Sequence, residues 1–360
     1  MSDEQIFKFK LIVGDTLTSL RDFDDNTFHC AITSPPYWDQ RDYGEKEQLG
    51  QEETPEEYVA NLVAISEEVR RTLRKDGTFW LNIGDGYCKK AIKGSSLKPQ
   101  DLLGIPWMVA FAMRDAGWYL RCDVIWQKTN PMPESVKNRP SKSYEHLFLF
   151  SKNKKYFYDY EAIKEPQKEI SIRRAYSKNR VKKRKDYQDD NYAISGKSQD
   201  KTYEKMRKII DDLKEGLSDD EKLSDHIKRN KRDIWEVATA NSKIKHFAIY
   251  PIDLIKPCLM AGTSSGGCCS QCKTPWVRKK SNILEWESGC DCLDGLAQEC
   301  LVLDPFNGTG TTGHVCKHYH RKYVGIDISS KYISYTREAL GGDDYAKFQR
   351  EVNSIAEIVE

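Results

Sequence analysis

Two short runs in this 360-residue chain gather groups able to do chemistry where a sequence ordinarily places an inert turn. The first is Thr33-Ser34-Pro35-Pro36-Tyr37-Trp38, directly behind the strand-like run Phe28 to Ile32. Prolines fix the backbone and remove amide donors, so carbonyls nearby stay open as acceptors. A hydroxyl and two aromatic side chains thus stand beside carbonyls left open to accept, where a chain ordinarily places a polar turn. The second run is Asp304-Pro305-Phe306-Asn307-Gly308-Thr309-Gly310-Thr311, with Asp327 following at the end of Lys322-Tyr323-Val324-Gly325-Ile326.

That second run reads as strand, glycine-rich turn, helix, strand and acid. Glycines let the backbone approach a ligand closely, and a carboxylate at the end of the next strand can accept from both hydroxyls of a ribose. The loop is not G-x-G-x-x-G, and Asp304 and Asp327 would repel a pyrophosphate, so a dinucleotide fits poorly. A cationic nucleoside without phosphates, such as S-adenosylmethionine, fits better.

The elements that must position these runs alternate. Residues 10–14 and 28–33 read as strands. Residues 55–74 carry Tyr58, Leu62, Ile65, Val69 and Leu73 on one helical face, from Pro55 to a stop at Asp76-Gly77. Strands at 78–85, 118–128 and 145–151, a helix near 101–116, and a closing strand, helix, strand and helix complete the pattern. Interleaving of this kind predicts a mostly parallel sheet covered on both faces. Three parts follow: 1–150, an insert at 151–235, and 236–360 with a Cys-rich interruption at 262–292.

Hydrophobic residues make up 39% of the chain and charged residues 31%, with a formal net charge of +2, so any nucleic-acid face must come from local charge. No apolar run approaches the roughly 20 residues of a membrane helix, and the first thirty residues lack the pattern of a signal peptide. Eleven cysteines in such a chain read as thiols or metal ligands rather than disulfides. The expectation is a cytoplasmic protein.

Together, Thr33-Ser-Pro-Pro-Tyr-Trp early and Asp304-Pro-Phe-Asn-Gly-Thr-Gly-Thr-Thr late resemble the DNA amino-methyltransferases, which methylate the exocyclic nitrogen of cytosine or adenine. The order of the runs is that of the circularly permuted β group: catalytic motif, target recognition region, cofactor loop. Gly14-Asp15, the run from Arg71 to Asp85 and the run from His246 to Thr263 are similar to further family segments. About three quarters of the chain is covered, and residues 155–230 match nothing in the family.

The resemblance implies an α/β, Rossmann-like seven-stranded methyltransferase sheet. It places Asp15, Thr33, Asp304, Pro305, Phe306, Gly308, Gly310, Thr311 and Asp327 at S-adenosylmethionine, and Ser34, Pro35, Pro36 and Tyr37 in the catalytic pocket. The family tetrapeptide begins with Asp or Asn in adenine enzymes, whereas Ser-Pro-Pro-Tyr is more typical of cytosine N4 enzymes. N4 of cytosine is therefore the favoured target, with N6 of adenine the alternative. Double-stranded DNA is the expected partner, along with a restriction endonuclease acting on the same site, in a protein of prokaryotic or viral origin.

The amino lone pair of such a base is delocalised into the ring, so acceptors around its hydrogens, here the Ser34 hydroxyl and Pro35 carbonyl, must draw it back toward the methyl donor. The base must first be flipped out, at about a few kcal/mol. Stacking on an aromatic returns roughly 1–3 kcal/mol, the part expected of Tyr37 with Trp38 as a second wall.

Cys269-Ser-Gln-Cys272 and Cys290-Asp-Cys292 stand 17 residues apart, close to four-cysteine zinc spacing although the second pair is C-x-C. Cys268 is an alternative to Cys269, and a small structural zinc knob is the reading. Residues 171–185 hold eight basic residues and no acid. Arg173, Arg174, Lys182, Lys183 and Arg184 there suit contacts to a DNA backbone, as do Arg139 and Lys142. Three rival readings are weaker. Pro257-Cys258 as a C5-cytosine nucleophile lies in a helical run. A methyltransferase for RNA or protein glutamine needs no basic insert, and a silent nucleic-acid-binding module would not need the intact motifs.

Overall fold

Phe28–Thr33 is buried at all six positions, as a run of apolar and small residues without alternation demands of a strand flanked and covered on every side. Around it the computed structural model, which describes residues 8–45, 47–92, 95–168, 227–240 and 250–341, builds one large sheet. Its strands are β1 (Phe9–Val13), β2 (Phe28–Thr33), β3 (Leu73–Ile83), β4 (Tyr119–Lys128), β5 (Tyr144–Ser151), β6 (Ile234–Val237), β7 (Leu301–Asp304) and β8 (Lys322–Asp327). Across the sheet they run β1, β8, β7, β2, β3, β5, β4, β6. Neighbours are parallel except that β5 runs antiparallel to both β3 and β4.

Among the described residues the sheet has eight strands, where seven were expected. The extra one, β6, pairs in parallel with β4 at the edge, and its Trp235 lies 6.1 Å from Trp80, ring centre to ring centre. One compact unit comprises Met1–Asp159 with Arg232–Glu360, and a second comprises Tyr160–Lys231, in which Glu165–Pro166 pairs antiparallel with Lys228–Arg229. Arg173, Arg174, Lys182, Lys183, Arg184 and His246 lie outside the described residues.

Among the described residues the helices are α1 (Thr16–Arg21), α2 (Pro55–Thr72), α3 (Ile105–Asp115), α4 (Ile252–Gly262), α5 (Thr311–His318) and α6 (Ser330–Gly341). The first three pack in succession on one another; α4 packs on α5 and against β2 and β3, and α5 packs on α6. The core beneath α1–α3 collects Tyr58, Leu62, Val69, Phe79, Val109, Met113, Phe148 and Phe150. No helix among the described residues is long and apolar enough to cross a membrane.

Two helix ends differ from expectation for reasons of hydrogen bonding. Helix α2 begins as the sequence demands, with Pro55 in its first turn and a reciprocal capping box between Thr54 and Glu57. It ends at Thr72, before Asp76-Gly77, because the Asn26 and Thr27 amides capture the Arg71 and Thr72 carbonyls, at 3.2 and 2.7 Å. Leu73 therefore opens β3 instead of closing a helical stripe. Helix α3 starts at Ile105, four residues later than expected from 101, where the Asp85 carboxylate at the end of β3 accepts from the Gly104 and Ile105 amides. A capping carboxylate supplied from another element leaves no local signal in the helix's own sequence.

Candidate active site

Strands β8, β7, β2 and β3 are parallel, so Asp327, Asp304, Thr33 and Ile83 all finish at one end of the sheet. Crevices open there in sheets of this kind. A cleft of about 1040 Å³ lies at that end. One stretch of its wall is Phe306, Asn307, Gly308, Thr309, Thr311, Asp327 and Asp15; another is Ser34, Pro35, Pro36 and Tyr37, with Asn82, Gly84, Asp85, Lys128, Lys142 and Glu145.

The glycine loop is held from below. Gly310 precedes α5 with φ +81°, in the left-handed region that suits glycine. The Gly308 amide donates to Asp327 Oδ2 at 2.7 Å and the Ser329 amide to Oδ1 at 2.9 Å. Burial nevertheless outweighs these donors and pushes the Asp327 carboxyl up to about 6. Gly14 donates its amide to the Asp327 carbonyl, which sets Asp15 beside this acid, and the Asp15 side chain accepts from Thr18 N as the cap of α1.

Asp304 does something other than expected. Its carboxylate is fully buried and accepts from the Thr33 hydroxyl (2.6 Å), the Thr312 hydroxyl (2.6 Å), the Tyr250 hydroxyl (2.7 Å) and the Phe306 amide (3.1 Å). Burial raises its pKa, against the pull of those donors. With its oxygens committed this way, Asp304 is a pin beneath the site, joining the loop after β7 to the end of β2. Asp304, Thr33, Pro305 and Gly310 do not line the cleft. The Pro305 carbonyl is instead taken by the Thr16 hydroxyl at 2.7 Å.

The proline arm is fixed just as firmly. Tyr58 donates its hydroxyl to the Pro36 carbonyl at 3.0 Å. The Ser34 hydroxyl donates to the Tyr37 hydroxyl at 3.2 Å, and that hydroxyl donates to Glu145 Oε2 at 2.8 Å. Burial, then the charge of Glu145, raises the Tyr37 pKa well above its usual value, so the phenol stays protonated as a donor. Glu145 also takes the Lys128 ammonium at 2.6 Å and the Asn82 amide at 3.2 Å. The Tyr37 ring lies so close to β3's end that a Cβ on Gly84 would stand 2.7 Å from its Cε2, which explains the glycine.

Three other expected residues sit differently. Trp38 does not face the cleft: it is 7% exposed within the core, its indole donating to the Glu52 carbonyl at 3.0 Å. A base cannot stack on it. Lys142 turns into the cleft, where its ammonium donates to the Asp85 carbonyl and burial lowers its pKa. Arg139 pairs with Glu134 at 2.7 Å and lies over the Tyr87 ring at 3.9 Å. Pro257-Cys258 lies inside α4 with the thiol fully buried and bonded to the Leu254 carbonyl, so it is no nucleophile. Asn82, Glu145, Lys128 and Tyr250 were not singled out in the sequence.

The fold and the cleft define a methyltransferase of mixed α/β architecture, with a glycine loop and a Ser-Pro-Pro-Tyr arm in one crevice. The profile of the N6/N4 methyltransferase family, described as DNA methylase, matches residues 28–338. The Type II methyltransferase M.XycI of Xanthomonas campestris pv. cyanopsidis is 36% identical over 353 residues, covering 93% of this chain and 88% of that protein. M.SmaI of Serratia marcescens, also a Type II methyltransferase, is 34% identical over 350 residues, covering 92% and 90%. In three dimensions the chain is similar to the PvuII cytosine-N4-specific DNA methyltransferase, with a TM-score of 0.56 at 17% identity, covering 96% and 93%. The chain belongs to the N6/N4 DNA methylase family and is a DNA methyltransferase.

Proposed function

We propose that the protein transfers a methyl group from S-adenosylmethionine to the exocyclic N4 of a cytosine flipped out of double-stranded DNA. The observation that carries this reading is the sharing of one cleft by the Ser34–Tyr37 arm and the Phe306–Thr311 loop with Asp327. The loop side suits the methyl donor: Asp327 and Asp15 are acceptors for hydroxyls and an amine, and two acids there disfavour a phosphate-bearing ligand. When bound, S-adenosylmethionine supplies a methyl on a cationic sulfur, open to attack by an amine.

The chain's own part is to make the amine nucleophilic and hold it in place. Since Tyr58 occupies the Pro36 carbonyl, the Pro35 carbonyl and the Ser34 oxygen are the acceptors for the two amino hydrogens. Both draw the nitrogen toward a tetrahedral shape with its lone pair free of the ring. Tyr37, clamped by Glu145, offers the face on which the ring rests. The choice of cytosine rests on Ser34 opening the tetrapeptide; adenine N6 is the alternative. The order of catalytic arm before glycine loop supports membership of the permuted β group. The Type II relatives support a role as the modification partner of a restriction endonuclease that cuts the same sequence.

Digestion of DNA methylated by the purified protein, followed by nucleoside mass spectrometry, tests the reading. N4-methylcytosine is expected; N6-methyladenine overturns the base assignment while leaving the family in place.

A further inference from the structure

The segment between α4 and β7 takes no part in the cleft, yet it gathers sulfur. Cys269, Cys272, Cys290 and Cys292 present four Sγ atoms that all lie within 4.8 Å of one another. We propose that these four thiolates bind one structural zinc ion. A tetrahedral site with Zn–S bonds of about 2.3 Å spaces its sulfurs about 3.8 Å apart, so the cluster needs only a small contraction to close. Four protein ligands leave no open position, which makes the ion structural and not catalytic.

Three further observations favour a metal over four idle thiols. Around Cys269 the chain folds as a tight ligand turn: the Lys273 amide donates to the Cys269 carbonyl and the Cys269 amide to the Thr274 carbonyl, each at 2.9 Å. The second pair is packed onto the first, since a Cβ on Gly295 would fall 2.5 Å from Cys269 Sγ and 3.3 Å from the Cys292 Cβ. Finally, this segment has little apolar material to hold it. Leu284, Leu293 and Leu296 are 80, 99 and 76% exposed, and its strands are two residues long. A segment of this size without a core needs a staple.

The neighbouring triad of His29, Cys268 and Cys300 also lies within 4.8 Å but is no second site. His29 Nδ1 accepts from the Leu301 amide at 3.0 Å and Nε2 faces the Lys273 carbonyl at 2.8 Å, so neither ring nitrogen is left for a metal. That arrangement instead shows what the zinc turn does. The Lys273 carbonyl is tied to His29 near the start of β2, and the Cys272 carbonyl to Arg74 near the start of β3, at 2.9 Å. These are the ends of the two strands opposite to those carrying Ser34 and Asn82. The ion therefore fastens the sheet from the side away from the cleft.

The test is elemental analysis of the full chain purified without chelators. One zinc per chain is expected. Cys272→Ser and Cys290→Ser each reduce it at least tenfold, while Cys268→Ser keeps it. Because a ligand variant can misfold, the wild type is also titrated with a mercurial thiol reagent beside a zinc indicator: release of one zinc accompanies the reaction of four thiols. Chelation of the released ion lowers the melting temperature. A wild-type chain without zinc, full zinc in Cys272→Ser, or a melting temperature unmoved by zinc release overturns the proposal. None of these readouts depends on methyl transfer, so they stand apart from the reading of the cleft.

Discussion

Replacing Asp304 tests the central joint of the site, because four donors converge on a carboxylate with no access to water. In Asp304→Ala the Tyr250 and Thr312 hydroxyls, already in contact, can pair with each other. The Thr33 hydroxyl and the Phe306 amide are left stranded, and a buried unsatisfied donor costs about 1–3 kcal/mol. Two of them give roughly 2–6 kcal/mol. Relief from burying the carboxylate, whose pKa burial raises, offsets part of this, so a net loss of about 3 kcal/mol is expected. Asp304→Asn behaves otherwise. Its amide oxygen serves Thr33 and Phe306 while its NH2 donates to the two hydroxyls, which accept as readily as they donate, so the loss stays within about 1 kcal/mol. Urea unfolding at constant slope measures both. Because Thr33 adjoins Ser34, methyl transfer should fall in the alanine variant and survive in the asparagine variant. A loss below about 1 kcal/mol for alanine, or equal losses for both, refutes the pin.

Tyr37→Ala should lower kcat/KM for DNA roughly ten- to hundredfold by removing the stacking face, whereas Tyr37→Phe keeps the ring and loses less. Trp38→Ala should cost roughly 3–5 kcal/mol in urea unfolding with DNA affinity unchanged, since the indole is core. Asp327 gives a pH signature. Its folded pKa of about 6 stands above the usual carboxyl value of 3.8, so its contribution to stability is fully present below about 4 and lost as pH rises through about 6. Donors from a bound ribose favour the ionised form. Cofactor affinity should therefore weaken as pH falls through about 6, with proton release on binding in calorimetry that Asp327→Asn abolishes.

The sequence made the cleft-lining runs legible because their backbones are unusual. A glycine turn between two strands and a Pro-Pro arm after a third announce themselves, and both runs end in the same cleft. The side chains that clamp them announce nothing. Glu145 is the second residue of an ordinary buried strand, and only the antiparallel course of β5, which pairs His146 with Ile83, brings it level with the end of β3, beside Gly84. Asp85 caps a helix 20 residues on, a link invisible to any local pattern. The opposite failure struck Asp304 and Trp38. Residue type drew attention to both, but type does not tell whether a polar or aromatic group points into a cavity or under it. Contacts 271 and 14 residues away decided that.

The arm and the loop hang on different strands and meet through the 2.6 Å bond between Thr33 and Asp304. Such a layout works like a lathe with separate chuck and tool post. On the proposed function, the loop, α5 and β8 keep one methyl donor while Ser34, the 129–143 segment and the start of β5, on the other wall of the cleft, are recut for another base. Diversification of target specificity then needs no re-invention of the donor side, provided the Thr33–Asp304 bond and the β2–β7 pairing that join the halves are left alone.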